Sequence, residues 1–254
     1  MIPQGYQRSP ADGRDLDFAD LEERLRSAGR LEGTGGVMLD ERTPISDQGP
    51  IGSCVACATC DACELVMPHP VQLSRLFIYW NARRRSGEEC VDGGTFPRAA
   101  FASVTALGAP LESAWPYDVA RVNERPSLGA YEGGFDHKIA SYYAIKSYGT
   151  ARLDAIESAL RAGLPVVFGT DVGAEFQNTR GRDPLHPPLR SEGGHALVVV
   201  GFESYGAGRV WRIRNSWGRG HGDAGYCLFA DDYMTDLATS DFWVPVHVDD
   251  VAGA

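Results

Sequence analysis

Hydrophobic positions are spaced like helices in the first half of the chain and gathered into short runs in the second. Residues 1–14 carry Pro, Gly, Ser, Arg and Asp without periodicity and read as an arm. Within residues 15–29, Leu16, Phe18, Leu21 and Leu25 are spaced near 3.6, with acidic residues early and Arg late. That order suits the helix dipole and predicts a short amphipathic helix. Residues 31–36 form a glycine-rich break. Residues 53–67 are Ala-rich and closed by Pro68, which predicts a second helix. A third spans 73–85, with Ser74 as N-cap and Leu76, Phe77, Tyr79 and Trp80 as core. A fourth spans 97–107, with Pro97 in its first turn and Gly108 at its end.

The second half keeps one helical stretch, 152–162, with Leu153, Ile156 and Leu160 inward and Gly163 just past its end. Around it, runs at 166–170, 196–202, 209–214, 225–229 and 242–247 read as strands. Helices first and strands later predict an α+β protein with two lobes. No internal repeat or low-complexity tract interrupts this order.

Composition narrows the partners. The 254 residues carry 24 Lys+Arg against 34 Asp+Glu, a net charge of −10. A nucleic-acid coat or an anionic-membrane binder would need a basic face, so neither is expected. The longest purely apolar stretch, 196–200, is far short of the roughly 18–20 residues of a spanning helix. The first thirty residues show no apolar signal-peptide region, so a cytoplasmic protein with reduced thiols is expected. Oligomeric state leaves no mark in the sequence.

Chemistry concentrates in the cysteines and one histidine. Cys54, Cys57, Cys60 and Cys63 are spaced by three, a pattern that some iron–sulfur proteins use in loops. On a helix, each would sit 60° behind the last, and four sulfurs spread over about 13 Å could not converge on one metal. Cys57, Cys60 and Cys63 therefore read as small buried hydrophobes. Cys54 differs. It follows Asp47-Gln48-Gly49-Pro50-Ile51-Gly52-Ser53, a turn-forming stretch, and opens the helix. Unpaired N–H groups and the positive dipole end there stabilise a thiolate. A nucleophilic thiol also wants a nearby imidazole. Among six histidines, His195 follows Gly193-Gly194 and enters the apolar run 196–200, a setting for a base at the mouth of a buried strand. His69, His137, His186 and His247 have no such setting and read as surface or structural. Asn215 ends a strand-like run in Asn215-Ser216-Trp217-Gly218.

Together these segments resemble the papain-like (C1-type) cysteine peptidases. Gln48 lies six residues before Cys54 in Gly52-Ser53-Cys54, His195 lies 141 residues beyond it in Gly194-His195-Ala196, and Asn215 opens Asn-Ser-Trp-Gly. The resemblance covers about residues 37–245, with Asp92-Gly93-Gly94 and Trp115-Pro116-Tyr117 as lesser features. Asn215 lies slightly farther along than the family spacing, and Pro184, Pro187 and Pro188 mark an insertion before His195. The variant looks bacterial. Val55 replaces the usual aromatic, and Ile51 replaces a Cys, so Cys90 lacks its family partner. His221 stands where the family's second Trp is expected, which reads as a neutral loss of packing. Only about 36 residues precede the match, which puts the family's prosegment latency in doubt.

The resemblance implies a papain-like two-lobe fold: a helical lobe (about 48–130) and a β-barrel-like lobe (about 131–254) with the active-site cleft between, preceded by an arm at 1–36. It implies catalytic roles for Cys54, His195, Asn215 and Gln48. Gly93, Gly94, Thr95, Phe96, Gly194 and Trp217 would bind a peptide or protein substrate, with no cofactor and no metal. The implied product is a hydrolysed peptide bond. A papain-fold acyltransferase or peptide ligase could use the same thioester, and a metal or redox module built on Cys54–Cys63 is the non-enzymatic alternative. The predicted helix at 15–29 could gate the cleft or pack on the body, and the pattern favours packing.

Overall fold

The computed structural model describes residues 5–247. Helix α1 (Phe18–Ser27) starts at Asp17, whose carboxylate accepts from the Ala19 N–H, and turns Phe18, Leu21 and Leu25 into the core. Leu16 lies outside it and is half exposed, so the apolar stripe is one residue shorter than its spacing suggested. Strand β1 (Val37–Met38) follows. Helix α2 (Cys54–Val66) is buried along its whole length, which only small side chains allow; Cys and Ala supply seven of its thirteen residues. Helix α3 (Arg75–Arg84) is capped by the Ser74 hydroxyl, which accepts from the Phe77 N–H, and α4 (Pro97–Leu107) ends at Gly108, φ 71°. Helix α5 (Leu128–Gly134) and strand β2 (Ser141–Ala144) complete the first half.

The second half holds α6 (Thr150–Arg161), β3 (Val166–Val172), α7 (Ala174–Asn178), β4 (Pro184–Leu185), β5 (Gly193–Tyr205), β6 (Gly208–Arg214), β7 (Tyr226–Ala230), α8 (Asp231–Thr235) and β8 (Thr239–Val246). Their sheet runs β2-β8-β3-β5-β6-β7-β4, and β1 also pairs with β5, at Gly201 and Phe202. All pairs are antiparallel except β4 with β7. The sheet does not close on itself, so the barrel-like expectation is corrected to an open eight-stranded sheet. Its two ends, β2 and β4, are four and two residues long and do not pair with each other among the described residues.

The continuous apolar runs of β3 and β5 are buried over nearly their whole length because helices pack on them. Helix α2 lies against β5, β3 and β8, α4 lies against β3 and β8, and α6 covers β1, β3 and β5. Helix α1 packs on α6 and β2 and shares the main core. Among the described residues, no helix is long and apolar enough to cross a membrane.

Candidate active site

The close packing of α2 on β5 brings Cys54 to the strand that carries His195. Cys54 is the first residue of α2, where the helix leaves N–H groups without intrahelical partners. The backbone N–H groups of Val55, of Gly5 and of Ala196, the residue after His195, all reach the Cys54 sulfur. His195 stands on β5, in register with Thr170 of β3. Its Nε2 lies 2.7 Å from Asn215 Oδ1, just past the end of β6. Cys54, His195, Asn215 and Gln48 are all at most 2% exposed.

Gln48 is tied to the segment after β6. Its N–H donates to the Ser216 carbonyl at 2.8 Å. Its Oε1 accepts from Ser216 Oγ at 3.0 Å and from Trp217 Nε1 at 3.2 Å. Those two donors fix the amide's orientation, so Nε2 is the end turned toward the turn before Cys54, where it donates to the Ile51 carbonyl at 3.0 Å. Trp217 also lies over His195, with ring centroids 4.8 Å apart. Phe176 of α7 packs edge-on to Trp217 at 4.9 Å. The His195–Asn215 hydrogen bond thus sits behind two aromatic rings, which keep water from competing for it.

His221 does more than fill space. Its Nδ1 is 3.0 Å from Asn215 Nδ2, and its Nε2 is 2.9 Å from the Phe176 carbonyl. Reading it as a neutral loss of packing is corrected by these two contacts. The position was visible in the sequence as a departure from the family motif, but its partners were not.

The arm supplies a second finding. Residues 5–9 enter the cleft and run parallel to 93–95. The Thr95 N–H donates to the Gly5 carbonyl at 2.8 Å, and the Gln7 N–H donates to the Thr95 carbonyl at 2.9 Å. Gln7 Nε2 adds a bond to the Gly93 carbonyl at 2.9 Å. Gly94 has φ 83°, and a Cβ there would sit 2.3 Å from the Gly5 oxygen. The Tyr6 ring fills the space over Gly169 and Gly194. Its hydroxyl reaches Ser240 Oγ at 2.8 Å and Asp241 Oδ2 at 3.1 Å. Gly93, Gly94, Thr95 and Gly194, expected to hold substrate, therefore touch the chain's own arm. Phe96 instead caps α4 and packs half-buried against the core. Tyr6, Ser240 and Asp241 carried no sequence signal, since the arm has no periodicity and the pocket joins residues more than 230 positions apart.

Burial governs the electrostatics. It pushes the Cys54 thiol up to about 11, with the surrounding backbone N–H groups pulling the other way. It pushes His195 down to about 4, against the hydrogen bond to Asn215. Both shifts favour the neutral thiol and neutral imidazole. A thiolate–imidazolium pair between Cys54 and His195 would have to form against this burial. Cys57, Cys60 and Cys63 are free thiols buried along α2, and burial raises each of them too. Cys60 donates to Glu64 Oε1 and the Leu73 carbonyl, as a core side chain would. Cys90 is exposed and unpaired. His186 sits outside the site in an exposed contact with Asp232.

A helix-borne thiol, a strand-borne imidazole and an amide behind an indole, set between a helical layer and a sheet, define a thiol peptidase of the papain type. The comparisons agree. Residues 39–242 match the papain family cysteine protease profile. An uncharacterised peptidase C1-like protein of Acanthamoeba polyphaga mimivirus is 32% identical over 84% of this chain and 73% of its own length. Mouse cathepsin K is 26% identical over 74% of this chain and 56% of its own length, so this chain spans little more than half of that relative. Xylellain, a cysteine protease from Xylella fastidiosa, superimposes with a TM-score of 0.81 at 28% identity, covering 97% of both chains. The chain belongs to the papain family of cysteine peptidases.

Proposed function

We propose that this protein hydrolyses peptide bonds through a thioester on Cys54. The observation that carries the reading is the meeting of the Cys54 sulfur with the strand that holds His195, whose Nε2 is already engaged by Asn215. That engagement leaves Nδ1 to take the thiol proton. The sulfur attacks the peptide carbonyl carbon, and the carbonyl electron pair moves onto its oxygen. The Cys54 backbone N–H and Gln48 Nε2 stabilise this oxyanion. When the tetrahedral adduct collapses, the C–N bond breaks and His195 returns the proton to the leaving amine. Water then adds to the thioester, giving its proton to His195, and the acid product leaves as the thiol is restored.

The same reading makes the observed arrangement a resting form. The arm's backbone holds the polar edge at 93–95, and Tyr6 fills the pocket beside His195. A substrate reaches Cys54 only when residues 5–9 withdraw. Their direction along 93–95 is parallel, whereas a strand paired antiparallel there would present its carbonyls in the reverse order.

The test is turnover of a peptide mixture by the full chain and by a chain lacking residues 1–10, with product masses read out. We expect water addition, faster turnover in the shortened chain, and complete loss in Cys54→Ala. Full turnover in Cys54→Ala would overturn the reading. Condensation with an added amine would make the enzyme an acyltransferase.

A further inference from the structure

His221 lies six residues past Asn215 and meets it through the turn at 218–225, where its N–H bonds to the Gly218 carbonyl and its carbonyl accepts from Gly225. We propose that His221 is a positioning residue that fixes which end of the Asn215 amide faces His195, and through it the tautomer of the catalytic imidazole. The proposal rests on the peptidase reading above and deepens it.

The Phe176 backbone oxygen can only accept, so His221 Nε2, 2.9 Å away, carries a hydrogen. In the neutral ring, Nδ1 is then a lone pair. It can only accept, and its neighbour at 3.0 Å is Asn215 Nδ2. The amide nitrogen is therefore held on the His221 side. Asn215 Oδ1 is left for His195 Nε2 at 2.7 Å, and it also accepts from the Ser216 N–H at 2.7 Å. His195 Nε2 must then donate, so a neutral His195 keeps its lone pair on Nδ1, where it can take a thiol proton. A flipped Asn215 would offer Nδ2 to His195, move the imidazole proton to Nδ1, and leave no base for Cys54.

The surroundings suit this task. His221 is half-buried, with Trp217 edge-on at 4.7 Å and Phe176 at 5.0 Å. Burial holds it below the ordinary histidine range, while the Phe176 carbonyl works in the opposite direction. His221 in turn disfavours charge on His195. A tryptophan here, as the family motif has it, can pack but offers no acceptor for an amide N–H, because the indole nitrogen only donates.

Two substitutions in the full chain separate positioning from packing. His221→Phe keeps a ring without an acceptor. His221→Asn puts a carbonyl oxygen near the place of Nδ1 with less bulk. Ring ¹⁵N–¹H NMR of His195 in uniformly labelled protein reads the tautomer, and steady-state kinetics with a peptide substrate separates kcat from KM. We expect His221→Phe to lower kcat about tenfold at similar KM, and to shift His195 from the Nε2–H form toward a mixture. We expect His221→Asn to restore both readouts most of the way. An unchanged Nε2–H tautomer in His221→Phe overturns the proposal, as does equal loss in both variants. If neither the wild-type chain nor a chain lacking residues 1–10 turns over peptide, the peptidase reading fails, and the NMR comparison still decides the role of His221.

Discussion

Two buried polar clusters join α2 to the sheet, and they use neighbouring residues for opposite ends. Cys54 and Asp61 lie seven residues apart, about two turns, on α2. Arg214 and Asn215 are adjacent where β6 stops. In one cluster, Arg214 Nε meets Asp61 Oδ2 at 3.0 Å, and its Nη2 donates to the Thr43 and Pro44 carbonyls. Asp61 Oδ1 accepts from Ser46 Oγ at 2.7 Å. Both charges are buried and fully partnered, so the cluster is a fastening. In the other, Cys54 and His195 are equally buried but held toward their neutral forms. Burial alone does not make a group reactive. The difference is whether the charge is compensated by a partner, as between Asp61 and Arg214, or disfavoured by burial, as at Cys54 and His195.

The contrast can be broken from either side. Arg214→Ala leaves Asp61 buried without its cation, and should cost about 3–5 kcal/mol in a denaturant melt. Replacing both partners with apolar residues of similar size should recover much of that loss. A small effect of Arg214→Ala would mean that the fastening is spread over other contacts. On the reactive side, Gln48→Ala should lower kcat about 10²–10³-fold with little change in the melt. A large stability loss with normal kcat would make Gln48 part of the fastening instead.

The smallest expected effect tests the cover over the reactive cluster. Gly5 passes so close to Gly52 that a Cβ would meet its carbonyl oxygen at 1.7 Å. Gly5→Val should therefore push the arm out of the cleft. With burial pushing the thiol up to about 11, little thiolate is present at pH 7 while the arm is in place. Exposure lowers that value, so iodoacetamide should label Cys54 about tenfold faster at pH 7 in Gly5→Val, and the rise of rate with pH should begin at lower pH. Equal rates in both proteins would show that the arm does not limit access.

Much of this was legible along the chain. The helices containing Cys54, Phe77 and Phe101, and the strands containing Phe168, Leu197 and Ile213, fall where spacing put them, because each carries its own periodic or continuous apolar signal. Strands β2 and β4 did not announce themselves. Four and two residues carry no period, and Ser141–Ala144 becomes a strand by pairing with Trp243–Val246, about a hundred residues away. The short α7 escaped notice for the same reason, and with it Phe176, whose carbonyl orients His221.

The sequence by itself determined the order of the longer elements and the family, and it singled out Gln48, Cys54, His195 and Asn215 as candidates. Local spacing and motif chemistry suffice for these, since each lies in a segment with its own signal. Only the tertiary structure decided that the sheet stays open, that Tyr6 fills the pocket over Gly169 and Gly194, and that His221 meets the Asn215 amide. Those outcomes depend on hydrogen-bond partners and close approaches between segments far apart in the chain. No one-dimensional pattern carries that information, because a donor's value is set by the acceptor that folding brings to it.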